Sequence, residues 1–74
     1  MDTRMRDLRE DQDLSQKDIA RVLKIPTNTY RNYELGQRNI PLEILVEIAV
    51  YHKTSTDYIL GLTDVKTPYS KNAV

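Results

Sequence analysis

Residues 14–36 read LSQKDIARVLKIPTNTYRNYELG, and this stretch decides the fold. Ser15 and Asp18 have the spacing of a capping box, in which the hydroxyl satisfies a free amide of the first helical turn and the acid favours the helix dipole. Pro26 disfavours helical backbone at the residue before it. The sequence therefore predicts a helix over Ser15 to Leu23. We expect its buried stripe to consist of Ile19, Val22 and Leu23, with the small Ala20 admitting a neighbouring helix.

A second helix is predicted over Thr27 to Leu35. Tyr30 and Tyr33 are three residues apart, so they share one face, which we expect to pack against the core. The opposite face carries three polar residues, Asn28, Arg31 and Asn32. Gly36 is a suitable stop because glycine readily adopts the left-handed conformation that ends many helices.

The rest of the chain also has helical spacing, interrupted by only two glycines and three prolines. A first helix is predicted over Thr3 to Asp11, a fourth from Pro41, and a short fifth over Thr56 to Leu60. The fourth has the strongest apolar pattern, formed by Leu42, Leu45, Val46, Ile48 and Ala49, and we expect these residues to form the centre of the core. The sequence therefore predicts one all-α domain over residues 1–63 and a polar, mobile tail over residues 64–74.

Length and composition exclude several classes of protein. A chain of 74 residues has room for one domain. It contains no cysteine and one histidine, His52, which we expect near the end of the fourth helix, where a positive charge is favourable. A metal site or a nucleophile and base pair cannot be assembled from these residues, so we expect no metal, no cofactor and no enzyme activity. No apolar run approaches the ~20 residues that span a bilayer, which predicts a soluble, cytoplasmic protein without membrane contact.

Four pieces of the sequence are typical of one family: LSQKDIA at 14–20, YRNYELG at 30–36, RNIP at 38–41 and DYILG at 57–61. In this order they resemble the Cro and phage-repressor family, also called the xenobiotic-response-element family. The resemblance covers Arg4 to Thr63 and implies a five-helix, lambda-repressor-like domain. Its helix-turn-helix would present the second helix of the pair, residues 27–35, to the major groove of DNA.

Two positions depart from the family pattern. Lys24 stands where the family usually has glycine at the turn, and a left-handed residue other than glycine costs roughly 1 to 2 kcal/mol. Pro26 stands where the family favours a serine or threonine cap. Either Thr27 caps the helix instead, or the proline presets the first helical turn.

The resemblance also implies which residues contact DNA. Base contacts are expected from Thr27, Asn28, Arg31 and Asn32, and phosphate contacts from Gln16, Lys17, Arg38 and Asn39. Asparagine can form hydrogen bonds with adenine, arginine can form them with guanine, and the methyl group of threonine can contact that of thymine. The alternative is a polar face that only water contacts. Arg9 and Glu34 correspond to a structural pair that joins the first and third helices of related repressors.

These features imply a transcriptional repressor or other regulator that binds double-stranded DNA. One recognition helix covers little of the duplex, so we expect a homodimer on a pseudo-palindromic operator with half-sites about 34 Å apart. The candidate dimer surface is the apolar region around the fifth helix, and the alternative is that this region only closes the core. Its residues are Tyr58, Ile59, Leu60 and Leu62.

Two other functions fit the same sequence. One is an antitoxin-type regulator that also binds a protein partner, such as a toxin or an antirepressor. The other is a protein-interaction module of the same fold that does not bind DNA. The balance of eleven basic and eleven acidic residues favours this module, because DNA-binding domains are usually basic.

Overall fold

A computed structural model describes residues 3–68, which form five helices and no strand. The helices are α1 Met5–Asp11, α2 Gln16–Leu23, α3 Thr27–Glu34, α4 Leu42–Tyr51 and α5 Thr56–Ile59. This confirms the predicted all-α fold with a helix-turn-helix. Each helix begins and ends within two residues of its predicted bounds where these were given. None of the helices in this part of the chain is long and apolar enough to cross a membrane.

The capping box predicted at the start of α2 is present. The Ser15 hydroxyl accepts a hydrogen bond from the Asp18 amide at 3.1 Å, and the Asp18 carboxylate accepts one from the Ser15 amide at 2.9 Å. These bonds to Ser15 also lower the pKa of Asp18. The two residues fix where α2 begins and therefore which residues lie in its first turn.

The turn between α2 and α3 contains both positions that depart from the family pattern, Lys24 and Pro26. Lys24 adopts the left-handed conformation, with φ 59° and ψ 41°, so a lysine occupies the position where glycine is usual. Pro26 immediately precedes α3 in an extended conformation, and no side chain caps this helix. The proline therefore presets the first turn, and Thr27 does not act as a cap. At the other end of α3, Gly36 has the left-handed φ of 74° predicted for it.

All five helices contribute to one core. Its buried apolar members are Met5, Leu8, Ile19, Ala20, Leu23, Tyr30, Tyr33, Leu45, Ile48, Ala49 and Ile59. The prediction that Tyr30 and Tyr33 pack inward is confirmed. α2 and α3 pack closely against each other, and α4 lies against both α2 and α5. The outer face of α3 is thereby held in a fixed position.

Three residues predicted to be buried are exposed. Val22, Leu42 and Val46 have 47%, 71% and 43% of their surface accessible. Helical periodicity identifies the apolar side of a helix, but the apolar side here is wider than the surface that neighbouring helices cover. In α4, the row formed by Leu42 and Val46 lies beside the row that faces the core, and the described residues leave Leu42 mostly and Val46 partly exposed.

His52 ends α4 as predicted, but it is buried, with 3% of its surface exposed. Burial, and then the positive charge of Lys66, lowers the pKa of His52. Both ring nitrogens are buried without a hydrogen-bonding partner among the described residues. The expectation of a favourable positive charge at this helix end was therefore wrong, because desolvation favours the neutral ring.

The C-terminal part of the described chain is tied to the first helix. Ser55 caps α5 by accepting a hydrogen bond from the Tyr58 amide at 3.0 Å. The Arg4 guanidinium donates to the Tyr58 carbonyl at 3.0 Å and lies 4.2 Å from the centre of the Tyr58 ring. Of the predicted tail, residues 64–68 are described, and the backbone carbonyl of Lys66 accepts a hydrogen bond from the Thr54 hydroxyl. Residues 69–74 lie outside the described part, and the mobility of the tail stays a prediction.

Candidate nucleic-acid interface

The polar face of α3 lies opposite the two buried tyrosines. Asn28 and Arg31 are exposed, and Thr27 and Asn32 are half-buried. Within residues 3–68, the side chains of Thr27, Asn28 and Asn32 make no hydrogen bond. Their donors and acceptors are therefore available to a ligand.

Arg9 and Glu34 form an ion pair between α1 and α3. The Nε and Nη2 atoms of Arg9 each donate to one carboxylate oxygen of Glu34, both at 3.0 Å. A third bond, from Arg9 Nη1 to the carbonyl of Leu14 at 2.8 Å, fixes the segment that leads into α2. One guanidinium thus joins three parts of the fold and sets the position of α3 relative to the start of α2.

Gln16 connects this ion pair to the polar face of α3. Its side-chain amide donates to Glu34 Oε1 at 3.3 Å, and its side-chain carbonyl accepts from Arg31 Nε at 3.5 Å. The resulting chain of contacts runs Arg9, Glu34, Gln16, Arg31, and we call it the polar chain. It brings together Gln16, predicted to contact phosphate, and Arg31, predicted to contact a base.

Electrostatics keep the Arg9–Glu34 pair ionised. Burial opposes the charge on Glu34, but the neighbouring Arg9, Tyr30 and Gln16 side chains outweigh it and lower the pKa of this carboxyl. The bond to Glu34 raises the pKa of Arg9. Burial, and then the nearby carboxylate, raises the pKa of Tyr30, whose hydroxyl lies outside hydrogen-bonding geometry. The pair is therefore charged at neutral pH, and Tyr30 is neutral.

The remaining predicted phosphate contacts are not members of the polar chain. Lys17 follows Gln16 in the first turn of α2 and is exposed. Arg38 and Asn39 are exposed in the loop between α3 and α4, where they line a cleft of about 290 Å³. Gln16 lines a different cleft, of about 440 Å³, together with Arg9 and Glu34. Of the predicted phosphate contacts, Gln16 thus lines one cleft, and Arg38 and Asn39 line another. Thr3 lines both clefts.

Positive charge is concentrated in the helix-turn-helix. Residues 15–39 contain five basic residues and two acidic ones, although the whole chain has a net charge of zero. All five basic side chains are exposed, namely Lys17, Arg21, Lys24, Arg31 and Arg38. Arg21 and Lys24 were not among the predicted contacts, and a count of charge over this segment would have drawn attention to them. The neutral total conceals a basic segment of the chain.

A comparison with known protein families decides the assignment, because the helix-turn-helix family matches residues 5–59, which include all five helices. The chain belongs to the helix-turn-helix family. Its membership agrees with the predicted resemblance to Cro and phage repressors. Within the described residues, no group of three or more His, Cys, Asp or Glu side chains is placed to hold a metal ion.

Three relatives of this helix-turn-helix chain are transcriptional regulators by name. It is 38% identical over 65 residues to the uncharacterised HTH-type transcriptional regulator YobD of Bacillus subtilis, covering 88% of this chain and 58% of that protein. It is 32% identical over 62 residues to the HTH-type transcriptional regulator ImmR of the same organism, covering 84% and 49%. It is 34% identical over 50 residues to the cryptic phage CTXphi transcriptional repressor RstR of Vibrio cholerae, covering 68% and 45%.

This helix-turn-helix chain spans about half the length of these relatives. None of the three carries the name of an enzyme. The family match at residues 5–59 contains α2, α3 and the turn between them. What the chain has in common with the family therefore includes the part of the fold that carries the polar face of α3.

Proposed function

We propose that this chain binds double-stranded DNA in a sequence-specific manner and acts as a small transcriptional repressor, with α3 in the major groove of its operator. The observation that carries the proposal is the polar chain. It holds Arg31 beside Gln16 at the start of α2, on a helix pair whose exposed basic residues outnumber its acidic ones. The similarity of this chain to a named phage repressor, RstR, supports repression as the outcome of DNA binding.

Arg31 is the residue best prepared to read a base. Its Nε atom is bonded to Gln16, whereas its two terminal amino groups make no hydrogen bond with any residue of the described part. Two parallel donors match the N7 and O6 acceptors of guanine in the major groove. Asn28 and Asn32 are suited to adenine, and Thr27 to the thymine methyl group.

Phosphate contacts would set the position of α3 in the groove. Gln16 is the first residue of α2, where unpaired backbone amides and the helix dipole favour an anion. Its side-chain amide has a second hydrogen to donate after the bond to Glu34. Lys17, Arg38 and Asn39 add contacts that orient the protein and carry no sequence information.

Specific repression requires two copies of the domain. A single module of this size covers only ~600 to 1,000 Å² of its own surface on DNA, so we propose a homodimer on a pseudo-palindromic operator. Leu62 is 73% exposed and is available for pairing, with the half-buried Tyr58 and Leu60 beside it. Ile59 has no exposed surface and closes the core, so it does not contribute to such an interface.

The experiment that tests this proposal is selection from a random duplex library, with sequencing of the bound pool and a salt series on the selected site. We expect an enriched palindrome and an affinity that falls steeply with salt, because contacts to phosphate release counterions. Weak binding without enrichment would instead favour a protein-interaction module of the same fold. An antitoxin-type regulator would show the palindrome and, in addition, a protein partner.

A further inference from the structure

An exposed apolar stripe runs along α4. Leu42, Val46 and Val50 follow one another at intervals of four residues, so they form one row, and they are 71%, 43% and 71% exposed. Val22 of α2 and Tyr51 at the end of α4 are also exposed. Val22, Val46, Val50 and Tyr51, together with Leu23 and Glu47, line a groove of about 350 Å³ between the two helices, which we call the α2–α4 groove.

The α2–α4 groove is separate from the surfaces assigned above. None of the residues proposed to contact DNA lines it, and none of the residues proposed for the homodimer does. A row of apolar side chains beside a shallow groove is the surface that an amphipathic helix binds. The α2–α4 groove therefore shares no lining residue with the surface by which α3 is proposed to bind the major groove of DNA.

One acidic residue, Glu47, lines the groove, and a second, Glu43, lies one turn before it in α4. Glu43 and Glu47 form the next row of α4, and each follows a member of the apolar stripe in the sequence. Both are exposed, and neither has an ion-pair partner among residues 3–68. On the side of α2, Asp18 shares a row with Val22, whereas Lys17 and Arg21 lie in another row. The side of the groove formed by α4 therefore has negative charge that no ion pair within residues 3–68 neutralises.

We propose that the α2–α4 groove binds an amphipathic helix of a partner protein, with an apolar stripe that fills the groove and flanking Lys or Arg residues that pair with Glu43 and Glu47. A second copy of this chain fits the surface less well. In a symmetric pair each copy presents the same patch, and the residues that line the groove include no Lys or Arg that could pair with the glutamates of the other copy.

Two designed helical peptides of about four turns test the proposal. Both have leucines in one row; one has Lys and Arg on the flanks and the other has Glu. With the isotope-labelled full chain, we expect the basic peptide to bind at least about tenfold more tightly, and to shift amide resonances at the end of α2 and along α4. Val46→Asp should weaken its binding at least about tenfold. Val65→Asp is the matched control, since Val65 is exposed outside the groove.

Charge reversal provides a readout that loss of folding cannot imitate. A variant with Glu43→Lys and Glu47→Lys should bind the acidic peptide in preference to the basic one. The proposal is overturned if the basic peptide does not bind, if the wild-type chain binds both peptides equally, or if the preference of the variant is unchanged. It is also overturned if the chain alone forms a dimer that Val46→Asp abolishes, which would assign the groove to a second copy.

Discussion

Arg9 and Glu34 join α1 to α3 through two parallel hydrogen bonds of 3.0 Å, and Glu34 is the more deeply buried partner, with 4% of its side chain exposed against 13% for Arg9. Removal of one partner leaves the other charge where little water reaches it. Arg9→Met should therefore lower the free energy of unfolding by about 3 kcal/mol. Glu34→Gln should lower it less, because Arg9 retains the Leu14 carbonyl as a partner. Urea denaturation of the three proteins measures both changes.

The control for this prediction is Arg6→Met. Arg6 pairs with Glu10 at 3.3 Å, but both side chains are more than half exposed. Loss of such a surface pair changes the free energy of unfolding by roughly 0.5 kcal/mol or less. If Arg9→Met is no more destabilising than Arg6→Met, the Arg9–Glu34 pair does not hold the two helices together.

The same pair predicts how stability changes with acid. The folded protein lowers the pKa of Glu34 below its usual 4.5, so the unfolded chain binds the proton more readily. The stabilisation is fully present above about pH 4.5 and is lost as the pH falls through the lower folded value. Denaturation at several pH values between neutrality and pH 3 should show a smaller acid-induced loss for Glu34→Gln than for the wild-type protein. Equal losses would contradict the pKa shift assigned to Glu34.

The lowered pKa of His52 leads us to expect a second change of stability with pH, at higher pH than that of Glu34. Burial and Lys66 lower its pKa below the usual 6.5, so the folded protein resists protonation and the unfolded chain does not. Its contribution is constant above about pH 6.5, and stability falls as the pH drops below that value. His52→Leu should abolish this slope between pH 7 and pH 5. It should not destabilise the protein at pH 7 by more than about 1 kcal/mol, because the ring nitrogens make no hydrogen bond there.

The experiment for His52 is a comparison of thermal or urea unfolding at the two pH values. A slope that persists in His52→Leu would assign the pH dependence to other groups. A large loss of stability at pH 7 would show that the ring nitrogens have partners that the described residues do not supply.

Lys24 is a position where a substitution should stabilise the protein. Its φ of 59° costs a residue with a Cβ atom roughly 1 to 2 kcal/mol, which glycine avoids. The greater flexibility of glycine in the unfolded chain offsets about half of that gain. We expect Lys24→Gly to raise the free energy of unfolding by about 0.5 to 1 kcal/mol. Lys24→Ala removes the same charge without relieving the backbone, so it should bring no such gain.

Local signals in the sequence predicted the helices well. Ser15 with Asp18, Pro26 and Gly36 each act on the backbone within a few residues, so their effects can be read without knowledge of the tertiary structure. The exposure of Val22, Leu42 and Val46 could not be predicted in this way. Periodicity shows which side of a helix is apolar, whereas burial depends on whether another element covers that side.

The orientation of α3 was predictable from the sequence, whereas the contacts that its polar face makes were not. The polar face of α3 follows from the 3.6-residue period, and the buried tyrosines confirm its orientation. The bond between Gln16 and Arg31 joins residues 15 positions apart, and Gln16 also donates to Glu34 of the Arg9–Glu34 pair. A sequence alone contains no local signal for such a contact.

The central claim is that the polar face of α3 reads DNA, and the most direct test is operator affinity, measured by fluorescence anisotropy on the selected site. The variants are a double substitution, Arg31→Ala with Asn32→Ala, and the control Arg21→Ala, which removes one exposed basic residue from α2. Each bidentate base contact contributes about 1 to 3 kcal/mol. The double variant should therefore lose about a hundredfold or more in specific affinity while keeping its helical circular dichroism, and Arg21→Ala should lose far less. Operator binding by the double variant that equals that of Arg21→Ala would contradict the assignment of α3 as the recognition helix.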